Sequence, residues 1–159
     1  IVLFTGSAQT GKTFLARRVE ALLVADSRHA YLLEGENLLQ GLDADLSAAD
    51  PSFAAERVRR YGEVARLLID TGLIVVSTSK TFGINYQRMA EMIRTLVQPA
   101  PVIAVHMSRA GEEPPPNTDL HFAGPQDFDA AARQILEELK RRGVLIQPSG
   151  TKSTIQYSI

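Results

Sequence analysis

The chain has 159 residues, of which 45% are apolar, and its formal net charge is −1. This length favours one domain with a single core, and the near-neutral charge argues against a surface for nucleic acid or for an anionic membrane. Because the chain contains no cysteine, disulfides and thiolate metal sites are excluded. We therefore expect a cytoplasmic domain with no nucleic-acid partner and no membrane-spanning segment.

Strand-like and helix-like apolar patterns alternate along the chain. In order, the sequence predicts a strand at 1–6, a helix at 12–24, a strand within 29–37, a helix at 53–72, a strand at 73–79, a helix at 85–97, strands at 101–107 and 119–123, and a helix at 125–143. This alternation favours a parallel sheet with right-handed crossovers and helices on both faces. We therefore predict an α/β fold with a five-stranded parallel sheet in residues 1–146, followed by a polar tail at 147–159.

Residues 6–13 read GSAQTGKT and match the phosphate-binding pattern G-x-x-x-x-G-K-[ST]. The motif follows a predicted strand and opens a predicted helix, where backbone N–H groups and the positive helix end cradle phosphates. The predicted nucleotide-binding residues are Gly6, Ser7, Ala8, Gln9, Thr10, Gly11, Lys12 and Thr13. We expect Lys12 to reach the β- and γ-phosphates of ATP and the Thr13 hydroxyl to ligate Mg²⁺. The motif therefore predicts a P-loop kinase fold.

An acidic turn, LLEGEN, follows the second predicted strand and contains Glu34, Glu36 and Asn37. A phosphotransferase needs a carboxylate near the metal and the acceptor hydroxyl. The third strand, LIVVSTS, does not end in an acid, so Glu36 is the candidate catalytic group beside Lys12 and the candidate metal ligand beside Thr13. The alternative is that this is a solvated acidic turn. Since the carboxyl ends of parallel strands meet at one edge, we expect the acidic turn, the glycine loop and residues 77–81 to form one cleft.

Four segments together resemble the adenylylsulfate kinase family: the glycine loop, LLEGENLLQGLDADLS at 32–47, ERVRRYGEVARLLIDTGLIVV at 56–76 and ILEELKRRGVL at 135–145. The resemblance implies ATP, Mg²⁺ and phosphorylation of the 3′-hydroxyl of adenylylsulfate in sulfate assimilation. It also implies a homo-oligomer. Members of the family occur alone or fused to ATP sulfurylase, and the start of this chain inside an apolar run would suit such a fusion.

The chain departs from the family pattern where the acceptor would bind. The family's D-G-D-N turn is Glu34–Asn37 here, so each carboxylate is one methylene longer. Two arginines of the family pattern fall on Leu39 and Ala54. The candidate acceptor-binding residues that remain by resemblance are Asn37, Arg57 and Thr81. The nucleotide half of the predicted site is therefore kept, whereas most of the acceptor half is changed.

The connection between the fourth and fifth predicted strands, MSRAGEEPPPNT at 107–118, is too short for the lid of such kinases. Its three prolines oppose a helix, and Arg109 is its only cation. Two interpretations stay open: a working adenylylsulfate kinase, and a non-catalytic nucleotide-binding domain that regulates or assembles a sulfurylase fusion. We predict nucleotide binding with weakened or lost catalysis, and self-association through an apolar surface near Phe82 and Ile84.

Overall fold

A computed structural model describes residues 1–78, 84–124 and 127–146. The helices and strands are β1 (Val2–Gly6), α1 (Lys12–Ala25), β2 (Ala30–Glu34), a 3-10 turn (Gly35–Leu38), α2 (Phe53–Asp70), β3 (Ile74–Thr78), α3 (Tyr86–Leu96), β4 (Ile103–Ser108), β5 (Leu120–Ala123) and α4 (Phe128–Arg141). The strand order is β2-β3-β1-β4-β5, and every neighbouring pair is parallel. The predicted α/β fold with a five-stranded parallel sheet is confirmed.

The central strand β1 is buried along its whole length. Side chains alternate between the two faces of a strand, so Val2 and Phe4 pack with α1 and α4, whereas Leu3 packs with α2 and α3. Two apolar clusters therefore enclose the sheet, one on each face. This packing fixes the carboxyl end of β1, from which the glycine loop leaves.

Two helices begin at side-chain caps. The Asn85 side chain accepts a hydrogen bond from the Arg88 N–H at the start of α3, and the Asp127 side chain accepts two from the first turn of α4. Thr81, Phe82 and the tail at 147–159 lie outside the described residues, so the boundary predicted at 146 stays a prediction. None of the helices in the described ranges is long and apolar enough to cross a bilayer.

Candidate nucleotide-binding site

A cleft of about 300 Å³ lies at the carboxyl edge of the sheet, where β1, β2 and β3 end. Its lining residues are Ala8, Gln9, Thr10, Gly11, Lys12, Thr13, Phe14, Glu36 and Thr78. The glycine loop, the acidic turn and the end of β3 therefore meet in one cleft, as their positions after parallel strands predict. A larger depression of about 740 Å³ lies away from this edge, between side chains of α1 and α4. We take the smaller cleft as the candidate site because it contains the phosphate-binding motif.

The glycine loop turns sharply where it leaves β1. Gly6 has φ 126°, and a Cβ atom at this position would lie 1.8 Å from the Met107 carbonyl oxygen. Gln9 and Gly11 also have positive φ, at 61° and 86°, and α1 has no acidic residue in its first turn. The loop therefore ends at the N-terminus of α1. Since no carboxylate in the first turn of this helix neutralises its positive end, the position favours an anionic ligand.

Lys12 folds back over the glycine loop. Its ammonium donates a hydrogen bond to the Gly6 carbonyl at 2.9 Å and another to the Ser7 carbonyl. Burial lowers the pKa of Lys12, and the Glu36 carboxylate opposes this shift. The interaction shows that the ammonium and the acidic turn lie close enough to affect each other. A bound polyphosphate would act on the pKa of Lys12 in the same direction as Glu36, because it also favours the charged form.

The two acids of the turn have different surroundings. Glu34, the last residue of β2, is paired in register with Thr78 of β3, and its side chain lies 3.5 Å from the exposed Arg17 guanidinium. Glu36 lies in the 3-10 turn and lines the cleft together with Thr13. Of the two carboxylates, it is Glu36 that faces the glycine loop. The alternative of a merely solvated turn therefore fits Glu34 better than Glu36.

A buried tyrosine ties the ends of β2 and β3 together. The Tyr61 hydroxyl lies 2.8 Å from the Leu33 carbonyl, 2.5 Å from the Ser77 hydroxyl and 3.2 Å from the Thr78 carbonyl. Since a tyrosine hydroxyl carries one proton, it can donate to a carbonyl while accepting from the serine. Burial raises the pKa of Tyr61, so the hydroxyl stays protonated. This contact holds the strand that leads to Glu36 against the strand that ends at Thr78.

The two candidate acceptor residues that the structure describes, Asn37 and Arg57, are not among the residues that line the cleft. The Arg57 guanidinium lies 3.4 Å from the Asp43 carboxylate, and the two side chains are 11% and 1% exposed. The same guanidinium stacks 5.4 Å from the centre of the Phe53 ring. Asn37 follows Glu36 in the 3-10 turn and is exposed, and Thr81 lies outside the described residues. Sequence reasoning missed Asp43, the residue that holds Arg57.

The β4–β5 connection, residues 109–119, approaches the glycine loop from the other side. The Glu112 carboxylate accepts hydrogen bonds from the Ser7 hydroxyl at 2.6 Å and from the Arg109 N–H at 3.1 Å. These donors hold the pKa of Glu112 below its usual range. Over its described length the connection contains no helix. Sequence reasoning missed this carboxylate because 105 positions separate it from Ser7.

Side chains from α3 and from the sheet support the glycine loop. The Tyr86 hydroxyl donates to the Gly6 carbonyl at 2.7 Å, and its ring packs edge-on against His106 with the centroids 5.2 Å apart. His106 Nδ1 lies 2.8 Å from the Thr5 hydroxyl. Burial lowers the pKa of His106, which favours the neutral ring. Tyr86 and His106 therefore stabilise the strand end from which the glycine loop leaves.

The comparisons with known proteins point to one family of kinases. Residues 1–114 match the family model for adenylylsulphate kinase. An adenylyl-sulfate kinase from Aeromonas hydrophila is 40% identical over 97 residues, which are 61% of this chain and 47% of that protein. A mutant APS kinase from Mycobacterium tuberculosis has a similar structure, with a TM-score of 0.74, 29% identity and coverage of 87% of this chain and 95% of that one. A hexameric APS kinase from Thiobacillus denitrificans gives a TM-score of 0.72 at 25% identity and covers 91% of this chain and 29% of that one.

The matches cover only part of this chain and only part of several relatives. The chain spans about half the length of the Aeromonas hydrophila protein and of several other curated relatives. The family-model match ends at residue 114, inside the β4–β5 connection, where the sequence departs from the family pattern. The match nevertheless covers 114 of the 159 residues, more than half of the chain. It includes the glycine loop, the acidic turn, α2 and β3. The chain therefore belongs to the adenylylsulphate kinase family.

Proposed function

We propose that this chain is an ATP-binding domain of the adenylylsulfate kinase family in which phosphoryl transfer to adenylylsulfate is slow or lost. The observation that carries the proposal is the shared cleft of Lys12, Thr13 and Glu36 at the end of the glycine loop. Phosphate-binding backbone, a cation and a carboxylate are the groups that a P-loop kinase uses. Titration with ATP and Mg²⁺, followed by an assay of transfer to adenylylsulfate, tests both parts.

The residues of the cleft have distinct roles in this proposal. The glycine-loop N–H groups hold the phosphates, and Lys12 neutralises the terminal ones. The hydroxyl and carboxylate oxygens of Thr13 and Glu36 suit Mg²⁺, which prefers oxygen ligands and phosphates and would reduce the charge of the nucleotide. In the transfer, Glu36 accepts the proton of the acceptor's 3′-hydroxyl while that oxygen bonds to the γ-phosphorus and ADP leaves.

The acceptor side of the site supports the weak-transfer part of the proposal. Leu39 and Ala54 replace arginines of the family pattern, and the Arg57 guanidinium already neutralises the buried Asp43 carboxylate. An adenylylsulfate molecule would therefore lack the bidentate cation that anionic groups prefer. The second candidate function, a non-catalytic nucleotide-binding domain, is favoured by this same Arg57–Asp43 pair. Substrate-dependent release of ADP distinguishes the two functions.

Glu112→Gln is expected to bind ATP roughly threefold to tenfold more tightly than the wild-type chain. Lys12 and Glu112 both contact Ser7: the Lys12 ammonium donates to the Ser7 carbonyl, and the Glu112 carboxylate accepts from the Ser7 hydroxyl. The terminal phosphates that Lys12 binds would therefore lie close to the Glu112 carboxylate. Like charges repel at this range, although exposure to solvent reduces the effect. Calorimetric titration with ATP and ADP measures the change, which should be larger for ATP.

Glu113→Gln is the matched control, because it removes the same charge from the adjacent exposed residue. Its affinity should stay near that of the wild type. If both variants bind ATP equally well, the position of the Glu112 carboxylate has no effect on nucleotide binding.

Self-association is a further part of the proposal. The surface differs from the one predicted near Phe82 and Ile84, because Ile84 packs on the core and Phe82 lies outside the described residues. Leu42 and Leu67 are instead 48% and 60% exposed, and both border the same surface depression with Val64. The similar chain from Thiobacillus denitrificans is part of a hexameric kinase. We expect light scattering to give a mass above that of a monomer and Leu67→Lys to lower it, whereas Val24→Lys on α1 should not. A monomeric wild-type chain at high concentration would contradict this prediction.

Fusion to an ATP sulfurylase module and a cytoplasmic location stay predictions from the family resemblance. The sequence of the complete gene product would decide the first, and fractionation of the cells that express it would decide the second.

A further inference from the structure

We propose that the Thr78 hydroxyl, at the carboxyl end of β3, binds an oxygen of the nucleotide–Mg²⁺ complex. The inference rests on the proposed nucleotide binding and adds a contact to it. The partner oxygen belongs either to a phosphate or to a water molecule on the metal, since a hydroxyl can donate to both. Titrations with and without Mg²⁺ distinguish these two partners.

The first observation is an unsatisfied polar atom. Thr78 is 3% exposed, and its hydroxyl oxygen is buried and has no hydrogen-bond partner among the residues that the structure describes. Buried polar atoms usually have partners, and an exception calls for an explanation such as an ion or a water molecule. A buried hydroxyl without a partner destabilises the fold. Valine has nearly the same shape as threonine and would avoid this destabilisation. A hydroxyl at this position is therefore useful only if a ligand binds it.

The second observation is the position of the residue. Thr78 lines the same cleft as Lys12, Thr13 and Glu36, and its Cα is paired in register with Phe4 of β1, two residues before the glycine loop begins at Gly6. This is the strand end at which P-loop enzymes hold Mg²⁺ with an aspartate. Thr78 is the polar residue that the sequence supplies there, and a hydroxyl is a weaker partner than a carboxylate.

The third observation is that the backbone of Thr78 is held in place. The Tyr61 hydroxyl lies 3.2 Å from the Thr78 carbonyl and 2.5 Å from the Ser77 hydroxyl. Because χ1 of a threonine is restricted, a fixed backbone leaves few positions for the hydroxyl. The group is therefore oriented before a ligand arrives, which lowers the entropic cost of binding.

The test compares Thr78→Val with Thr78→Ser. The valine variant keeps the shape and removes the hydroxyl, whereas the serine variant keeps the hydroxyl. Without ligand, we expect the urea midpoint of Thr78→Val to equal or exceed that of the wild type. In calorimetric titrations with ATP and Mg²⁺, we expect its affinity to fall about tenfold, and the affinity of Thr78→Ser to stay within about threefold of the wild type.

The combination of results distinguishes ligand binding from a structural role. A structural hydrogen bond would lower the urea midpoint of Thr78→Val without ligand, and that result would overturn the proposal, as would unchanged affinity for ATP. Loss of affinity both in EDTA and in Mg²⁺ identifies a phosphate oxygen as the partner, whereas loss in Mg²⁺ alone identifies a metal-bound water.

Titration of Lys12→Ala in parallel distinguishes failure of the Thr78 contact from failure of nucleotide binding by the glycine loop. If the wild-type chain binds ATP through Lys12 but Thr78→Val binds equally well, only the inference about Thr78 fails. If the wild-type chain does not bind ATP, or binds it independently of Lys12, the proposed function fails together with the inference.

Discussion

Lys12→Ala is expected to lower the affinity for ATP about 10- to 100-fold. The ammonium donates hydrogen bonds to the Gly6 and Ser7 carbonyls of the glycine loop, which places it over the strand end from which the phosphate cradle starts. Hydrogen bonds to charged groups contribute about 1.5–3 kcal/mol each, and about 1.4 kcal/mol corresponds to a factor of ten. Isothermal titration calorimetry with ATP and Mg²⁺ measures the change.

Lys140→Ala is a suitable control, because this lysine pairs with Glu137 on the surface of α4, outside the cleft lining. It should bind ATP as the wild type does. Circular dichroism of both variants shows whether the glycine loop tolerates the loss of the two Lys12 hydrogen bonds. Equal affinity of Lys12→Ala and wild type would contradict nucleotide binding through the glycine loop.

The second expected result is that turnover with adenylylsulfate lies at least about 10³-fold below the range of ~1–100 per second that is common for kinases. Three features act on different parts of the reaction. Leu39 and Ala54 remove cations from the acceptor side, and the longer acids of the turn change the alignment of the attacking hydroxyl. Glu112 places a negative charge beside the glycine loop, where a lid would supply positive charge. A coupled assay of ADP release, with and without adenylylsulfate, measures the rate.

Restoration of the two arginines is the informative variant. The double substitution Leu39→Arg and Ala54→Arg should strengthen adenylylsulfate binding without restoring turnover, because Arg109 is still the only cation in residues 107–118 and a missing cationic finger alone can cost about 10³-fold. Equilibrium binding of adenylylsulfate and ADP release are measured on the same preparation. Substrate-dependent turnover of the wild-type chain in the common kinase range would contradict the proposed loss of catalysis.

The sequence predicts the nucleotide half of the site because its signals are local. The glycine loop is eight consecutive residues between a strand and a helix, and Glu36 reaches the cleft because parallel strands end at one edge. The apolar alternation likewise predicts the five strands and their direction. These features depend on neighbours in the chain or on the topology of the sheet, and both can be inferred from periodicity.

The remaining features depend on pairs of distant residues. From the sequence, Arg57 is a candidate to bind the acceptor, but in the structure it pairs with Asp43. The Ser7–Glu112 contact joins two loops, and no sequence motif links these two residues. Tyr61 fits the apolar face of α2, but its hydroxyl contacts depend on where β2 and β3 end. A single sequence identifies the residue types of such contacts but not their partners.

The β4–β5 connection is a natural grafting point for protein engineering. It is anchored near its start, where Glu112 meets Ser7, and at its end, where the Asp119 carboxylate accepts a hydrogen bond from the Ala104 N–H at 2.7 Å. Gly111 lies between the end of β4 and Glu112. Its φ is 85°, and apart from its two chain neighbours no described residue has an atom within 4 Å of the position that a Cβ atom would take there. Lengthening a surface loop costs little closure entropy, so a cationic lid segment transplanted at this glycine would leave the sheet and both cores undisturbed.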